Sequence, residues 1–260
     1  MDDELMEIDE WLRKEIFQQT AYVDQILPSQ AGEYIIIAGR SGIGKSILAM
    51  QLGFCLANGR SFFGFDVEKA KTGYVCMEGS IENIKDRFEK MKSVFKGYDR
   101  KNFLFNYFEP CDLIHSNGKL HRKVNKGCRA LIFDNLKQLT SGRYLECAYA
   151  KEWSQRFRLF LSEIGAVGIL THHVRKTSAN HLLEPGDLES VKGSEYCEEA
   201  TSVLLLERRR QIQAKDGKFQ KVDSSKVNLY FPKLRIATKE VYYLPLRLNR
   251  NTVTFEIDNT

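Results

Sequence analysis

The chain has 260 residues and a mass of 30.0 kDa, with 43% hydrophobic and 28% charged residues. A chain of this length and composition buries a large core, which excludes collagen-like, mucin-like and disordered proteins. Its apolar runs are much shorter than the roughly 20 residues that a membrane-spanning helix needs, so we expect no membrane partner. Residues 1–4 are acidic, unlike a secretory signal, and the six cysteines form no C-x-x-C pair. We therefore expect a cytoplasmic protein with reduced thiols.

The net charge of +5 is distributed unevenly along the chain. Residues 1–30 contain eight acids and two bases, whereas the other 230 residues contain 37 bases and 26 acids. A basic body suits a polyanionic partner such as nucleic acid, although surplus lysine is also ordinary solubilising charge. Charge alone leaves both interpretations open.

An amphipathic helix is predicted over residues 2–19, because Leu5, Ile8, Leu12 and Ile16 recur at helical spacing beneath an acidic outer face. The breaker-rich residues 26–32 then mark a joint. We predict a helix or linker over residues 1–21 and one main domain over residues 22–260.

Strands and helices then alternate along the chain. Strands are predicted at residues 34–38, 72–77, 103–107, 130–133 and 167–171, and helices at 45–57, 81–95 and 148–164. Apolar strands that alternate with helices indicate an α/β fold whose mostly parallel sheet has helices on both faces. Later strands are predicted without long helices between them, at 201–206, 227–231, 242–248 and 253–257, with a hairpin turn at Asp216 and Gly217. We expect an antiparallel extension from about residue 200.

Residues 39–46 fit the pattern G-x-x-x-x-G-K-[ST], between a predicted strand and a predicted helix. Glycines let such a loop turn its backbone N–H groups toward phosphate, and the dipole of the following helix points at the same anion. Lys45 adds charge toward the β and γ phosphates, and the Ser46 hydroxyl is a ligand for Mg²⁺. The competing interpretation is a glycine-rich turn with an exposed lysine. The predicted phosphate-binding residues are Gly39, Arg40, Ser41, Gly42, Ile43, Gly44, Lys45, Ser46 and Ile47.

Two acids stand at the ends of predicted strands, where open parallel sheets bind ligands. Asp134 follows the apolar residues 131–133 and is the candidate carboxylate for Mg²⁺. Glu78 follows the strand at 72–77 and is the candidate base for the attacking water. The structural alternative for Asp134 is a turn aspartate before Asn135. The alternative for Glu78 is a neighbour of Ser80, the residue that could cap the next helix.

The order of these motifs resembles a known family. A P-loop is followed about 32 residues later by a strand ending in Glu, then by strands ending in Asp and in His. This resembles the RecA-like ATPase core of DnaB-type and plasmid RepA-type hexameric helicases rather than the AAA+ or GTPase branches. The resemblance implies that Glu78 polarises water and that a polar residue after the strand at 167–171 senses the γ-phosphate. By register that residue is His172, with His173 as the alternative.

Two further segments resemble elements of the same family. Residues 174–194 resemble its central-channel loop, which implies that Arg175, Lys176 and Lys192 follow a nucleic-acid backbone; the alternative is a solvated connector. Lys233 and Arg235 resemble its Lys-x-Arg strand, which reaches the ATP site of the neighbouring subunit. Positions i and i+2 of a strand share a face, so both cations can point at one phosphate; the alternative is an edge pair that prevents aggregation.

The resemblance implies a Mg²⁺-dependent ATPase that assembles into a ring, a hexamer, and works as a single-stranded-DNA translocase or helicase in replication or repair. Its implied partners are further copies of the chain, single-stranded DNA and a replication initiator or loader. The acidic helix at residues 2–19 would pack on a neighbouring protomer or on its own subunit. Two other functions stay open: a regulatory RecA-fold ATPase without helicase activity, and a small-molecule kinase.

Overall fold

The structure is a computed structural model, and it describes residues 8, 20–97, 99, 101–115, 120, 124, 126–140, 143, 146–174, 184–191, 193–209, 223–238 and 240–259. Of the predicted amphipathic helix only Ile8 is described, and it is helical and exposed. The rest of that helix and the predicted hairpin turn at Asp216 and Gly217 lie outside the described residues. In the part of the chain that is described, no helix is long and apolar enough to cross a membrane.

Nine strands form one sheet in the order β11-β10-β9-β8-β3-β7-β6-β4-β5, and β1 and β2 pair separately. The strands are β1 (Ala21–Val23), β2 (Leu27–Pro28), β3 (Tyr34–Gly39), β4 (Thr72–Cys76), β5 (Phe103–Tyr107), β6 (Ala130–Asp134), β7 (Val167–His173), β8 (Ser202–Arg208), β9 (Lys226–Leu234), β10 (Tyr243–Asn249) and β11 (Thr254–Ile257). Every strand predicted from the sequence is present, with ends shifted by at most a few residues.

Four α-helices are described: α1 (Lys45–Asn58), α2 (Ile81–Lys92), α3 (Cys147–Ile164) and the short α4 (Glu195–Glu199). The first three were predicted. The fourth has only five residues, which is too short to give a helical pattern in the sequence. Short 3₁₀ turns at Leu136–Leu139 and Leu188–Ser190 complete the list.

The parallel strands are buried on both faces, which explains their continuous apolar sequences. On one face α1 packs over Ile35, Ile37 and Ile132. On the other face the aromatic residues of α3 pack over the sheet, and Phe157 lies edge-to-face against Tyr34 at 5.3 Å between ring centroids. The predicted joint at residues 26–32 contributes to this core, because Ile26 and Leu27 are fully buried.

The register brings the carboxyl ends of four parallel strands to one edge of the sheet. Ala38 of β3 pairs with His172 of β7, and Cys76 of β4 pairs with Asp134 of β6. The predicted motif residues that follow these strands therefore meet at that edge, where parallel sheets bind ligands.

The antiparallel extension begins one strand later than predicted. Strand β8, at 202–208, is parallel to β3 and antiparallel to β9. In β9 the residues alternate between buried and partly exposed, as expected for a sheet with one face on the core. The predicted fold class is confirmed: a mostly parallel sheet flanked by helices, with antiparallel strands at its C-terminal end.

Candidate nucleotide-binding site

The glycine-rich loop joins the end of β3 to the start of α1. Gly42 and Gly44 have φ angles of 72° and 110°, which L side chains rarely adopt. A Cβ on Gly44 would lie 2.7 Å from Cζ of Phe255, so only glycine fits there. Gly44 holds the N-cap position of α1 and has no side chain to bond its first amides. Those N–H groups are therefore available for an anion.

A cleft of about 240 Å³ opens beside this loop. It brings together residues of the loop, of the ends of β4, β6 and β7, and of one face of α2. The cleft is lined by Ser41, Gly42, Gly44, Lys45, Ser46, Ile47, Glu78, Gly79, Ser80, Asn83, Ile84, Arg87, Asp134, Asn135 and His173. Of the predicted phosphate-binding residues, Gly39, Arg40 and Ile43 belong to the loop but do not line the cleft.

Lys45 is a buried cation in this cleft. Its Nζ donates to the carbonyl oxygen of Arg40 at 3.0 Å and lies 3.4 Å from Nδ1 of His173. Burial lowers the pKa of Lys45, while the carboxylates of Asp134 and Glu78 act in the opposite direction. The ammonium thus lies within the electrostatic range of both predicted acids.

Asp134 is held by side chains from both neighbouring strands. Its Oδ2 accepts a hydrogen bond of 2.7 Å from the hydroxyl of Tyr74 on β4, and its Oδ1 accepts one of 2.5 Å from Oγ1 of Thr171 on β7. Burial and the Asp134 carboxylate raise the pKa of Tyr74 well above its usual value, so the phenol remains a donor. The two donors fix the orientation of the carboxylate.

The donor set of the cleft fits a magnesium ion. Ser46 supplies a hydroxyl and Asp134 a carboxylate, both in the same cleft. The described residues contain no group of three His, Cys, Asp or Glu suited to a metal. Mg²⁺ at phosphate sites needs only one or two protein oxygens, because water and substrate phosphate complete its shell.

Glu78 is exposed at the mouth of the cleft, and the side chain of Asn135, which follows Asp134, holds its carboxylate. Its Oε2 accepts a hydrogen bond from Nδ2 of Asn135, and the N–H of Met77 donates to the Asp134 carbonyl at 2.8 Å. Ser80 caps α2, accepting from the N–H of Asn83 at 3.3 Å. Both predicted features of this turn are therefore present together: an acid in the cleft and a helix cap.

The two histidines of β7 face opposite sides of the sheet. His173 lines the cleft, whereas His172 is fully buried on the other face, edge-to-face with Tyr196 at 6.0 Å between ring centroids. His172 is the candidate by register and His173 the alternative, and of these two it is His173 that lines the cleft. The reason is strand alternation, since His173 shares a face with Thr171 and Ile169.

Lys233 and Arg235 are not brought to the cleft of their own chain. Gly39 of the loop pairs with Leu206 of β8, whereas Lys233 pairs with Val203, three residues earlier in the same strand. Lys233 therefore lies about 10 Å further than Leu206 from the edge of the sheet that carries the cleft. Their side chains donate to carbonyl oxygens at the end of α4.

The predicted nucleic-acid residues Arg175, Lys176 and Lys192 lie outside the described residues. Two other cations, Lys137 and Arg143, follow β6 and are described. Lys137 is exposed in the turn after Asp134. Arg143 forms an ion pair of 2.8 Å with Glu146 and stacks over Tyr149.

Several residues of the site were not predicted, among them Tyr74, Arg87, Asn135 and Thr171. Arg87 is a half-buried cation in the cleft, and it lies seven residues after Ser80 on the same face of α2. That helical spacing was a readable signal, because Ser80, Asn83, Ile84 and Arg87 share one face. Thr171 was also detectable, as a polar residue inside an apolar strand.

The sheet order, the glycine-rich loop and the cleft define a RecA-like P-loop ATPase fold. Residues 3–179 match the protein-family model described as AAA domain, which covers more than half of the chain. The chain belongs to this AAA domain family. The resemblance to the RecA-like rather than the AAA+ branch depends on the order of a P-loop and strands ending in Glu, Asp and His. In the structure Glu78 follows β4, Asp134 ends β6 and His173 ends β7.

A solved structure has the same fold. The chain is similar to a KaiC-like protein from the hyperthermophilic archaeon Pyrococcus horikoshii OT3, with a TM-score of 0.59 and 14% sequence identity over 94% of this chain and 100% of that chain. No curated protein gives a significant sequence match.

Proposed function

We propose that this chain is an oligomeric, Mg²⁺-dependent ATPase, a hexameric ring that moves along single-stranded DNA in replication or repair. One observation carries the proposal: a single cleft contains the charged groups that phosphoryl transfer to water requires. These groups are Lys45, Glu78, Asp134 and His173, and Arg87 joins them from α2.

Each group has a distinct task in ATP hydrolysis. Lys45 and the first amides of α1 bind the β and γ phosphates. Ser46 and Asp134 would hold Mg²⁺, which neutralises charge that develops on the phosphates. The carboxylate of Glu78 accepts a proton from the attacking water, and Asn135 keeps that carboxylate at the cleft. His173 donates to the γ-phosphate from the end of β7.

The position of Lys233 and Arg235 supports the proposed assembly. Both lie at the opposite end of the sheet from the loop of their own chain, and the family resemblance gives them the ATP of a neighbouring copy as their target. A contact between two different surfaces is head-to-tail, and such contacts form a ring when the rotation between copies closes. An arginine supplied in this way stabilises the charge of the transition state and is worth about 10³–10⁵ in rate.

The DNA component rests on charge and on the loop residues. Residues 31–260 carry 37 bases and 26 acids, and Arg175, Lys176 and Lys192 belong to the sequence segment that follows β7. Backbone contacts of this kind bind without reading sequence. Residues 1–30 contain eight acids and two bases, a charge that complements the basic body of a neighbouring copy or of the same subunit. An initiator or loader protein would place the ring on DNA.

A regulatory ATPase without helicase activity is the second candidate. The likeness in fold to a KaiC-like protein supports an ATPase of this fold without indicating DNA. The two functions differ in one property, because only a DNA motor hydrolyses ATP faster when single-stranded DNA is present.

The test is ATP hydrolysis by the full chain with and without oligo-dT. The motor predicts a higher rate with oligo-dT, and the regulatory ATPase predicts an unchanged rate. Glu78→Gln should still bind ATP while its hydrolysis falls about 10²–10⁴-fold, because an amide accepts no proton from water. Glu82→Gln is the matched control, because Glu82 is an exposed carboxylate in the first turn of α2 and is not among the residues that line the cleft. Normal hydrolysis by Glu78→Gln would contradict the proposed base.

A further inference from the structure

Side chains from distant parts of the chain bond every carbonyl at the carboxyl end of α4, and the Tyr196 carbonyl also accepts a hydrogen bond of 3.1 Å from the N–H of Ala200. The last four carbonyl groups of a helix have no partner within it. In α4 these are the carbonyls of residues 196–199, and each one accepts a hydrogen bond from a distant side chain. The four donors are Tyr34, Arg158, Lys233 and Arg235.

Lys233 and Arg235 supply the central bonds of this arrangement. They are called the trans pair here, because they are proposed to act on the ATP of a neighbouring copy. Nζ of Lys233 donates to the carbonyl oxygens of Cys197 at 2.7 Å and Glu198 at 2.6 Å, and a terminal nitrogen of Arg235 donates to that of Glu198 at 2.7 Å. Cations are stabilised at this end of a helix, where the dipole is negative. The helix end and the two cations therefore fix each other.

These bonds leave donors for a second partner. An ammonium has three N–H groups and a guanidinium five. Lys233 uses two on α4 and Arg235 uses one there, while the backbone N–H of Arg235 donates to the Thr201 carbonyl at 3.2 Å. Arg235 is exposed. The pair is thus held at its base and can still bond a phosphate presented by another molecule.

The same helix also contacts the strand that forms the cleft of its own subunit. Tyr196 of α4 packs edge-to-face on His172, the neighbour of His173 in β7. The segment before α4 returns to that strand, since Val191 pairs with Val174. Thus α4 contacts both β7, whose last residue lines the cleft of its own subunit, and the pair proposed to act on the next one.

We propose that α4 is the positioning element for the trans pair: its carboxyl-terminal carbonyls hold Lys233 and Arg235 in the geometry that serves the neighbouring ATP site. The inference rests on the proposed function, in which two neighbouring subunits share one ATP site, and it adds the element that positions the cations of that site. A change in α4 should therefore act on the neighbour's ATP and leave ATP binding in its own cleft intact.

The test uses a substitution that breaks α4 without altering either cation. Glu198 is exposed, and its N–H donates to the Ser194 carbonyl at 3.1 Å. Glu198→Pro removes this bond and disrupts the helix, whereas Glu198→Ala, the matched control, preserves it. We expect Glu198→Pro to lose at least about tenfold in ATPase rate and to bind ATP as wild type does.

Mixing variants identifies which site is damaged. Lys45→Ala keeps Arg235 but has no working phosphate-binding loop. Arg235→Ala keeps the loop but lacks the arginine. If α4 positions the trans pair, a mixture of Glu198→Pro with Lys45→Ala regains activity. In an equal mixture up to about a quarter of the head-to-tail interfaces then combine a working loop with a working pair. A mixture of Glu198→Pro with Arg235→Ala gains no activity.

Three results would overturn the inference. Recovery with Arg235→Ala would mean that α4 serves the cleft of its own subunit. If the ATPase rate recovers with neither variant although Glu198→Pro melts cooperatively and co-assembles, the substitution damages both the cleft and the trans pair. Full activity of Glu198→Pro alone would mean that the pair needs no anchor. Failure of the reference mixture of Lys45→Ala with Arg235→Ala would instead reject the shared site itself, and this inference with it.

Discussion

Tyr74 donates a hydrogen bond of 2.7 Å from its hydroxyl to Oδ2 of Asp134, across the neighbouring strands β4 and β6. Thr171 of β7 donates to the other oxygen, so the carboxylate has a partner on each side. Groups that orient a metal-binding carboxylate typically contribute 10–100-fold to affinity or activity. Tyr74 is therefore part of the site, although it does not line the cleft.

Tyr74→Phe should raise the Mg²⁺ concentration needed for half-maximal ATP hydrolysis by about 10–100-fold, because Asp134 loses one of its two orienting donors. A Mg²⁺ titration of the ATPase rate measures this. Tyr149→Phe is the matched control: its hydroxyl also donates to a carboxylate, Oδ1 of Asp112 at 2.9 Å, and it lies on the other face of the sheet. An equal Mg²⁺ response in both variants would contradict the role given to Tyr74.

The two histidines of β7 should respond differently to the same substitution. His173→Gln should lower the maximal ATPase rate on the order of 10²-fold, the typical cost of one donor to developing charge. His172→Gln should instead lower the melting temperature, because it alters a fully buried side chain packed on Tyr196. Measuring kcat, KM and Tm for both variants decides the point. The reverse pattern would restore His172 as the phosphate sensor.

Local sequence was sufficient for the loop and the strand ends. A P-loop is a contiguous pattern, and its phosphate-binding geometry is set by glycine conformation within eight residues. The acids followed from the positions where buried strands end. The choice between His172 and His173 was also available in principle, because alternation from the buried Ile169 places Thr171 and His173 on the face of α1.

Other features depend on contacts between distant parts of the chain. The partners of Lys233 and Arg235 are carbonyls of α4, 35–37 residues earlier in sequence, and backbone acceptors leave no residue-type signal. The turn at Ile26 and Leu27 was predicted as a joint from its proline and glycine, yet its apolar residues pack into the core. Tertiary packing outweighed local composition there.

Lys233 should make stability depend on pH in the alkaline range. Burial and the neighbouring Arg235 lower the pKa of Lys233 to about 8, below its usual 10.5. Between these values the unfolded chain holds a proton that the folded chain has lost, so this residue's contribution to stability increases as pH rises from 8 toward 10.5. The melting temperature of wild type relative to Lys233→Met should therefore rise over that range. A constant difference, or a falling one, would contradict the lowered pKa.

In the proposed assembly each ATP site is completed by the next subunit, and a mixture of two inactive variants is the experiment that decides this. Lys45→Ala and Arg235→Ala alone should each be nearly inactive, since one lacks the phosphate-binding cation and the other loses about 10³–10⁵ in rate. Mixed, they should form some interfaces with an intact loop and an intact Arg235, and hydrolysis should return in proportion to assembly at higher protein concentration. No recovery, with both variants shown to co-assemble, would contradict the shared site and leave Arg235 as a cap of α4 alone.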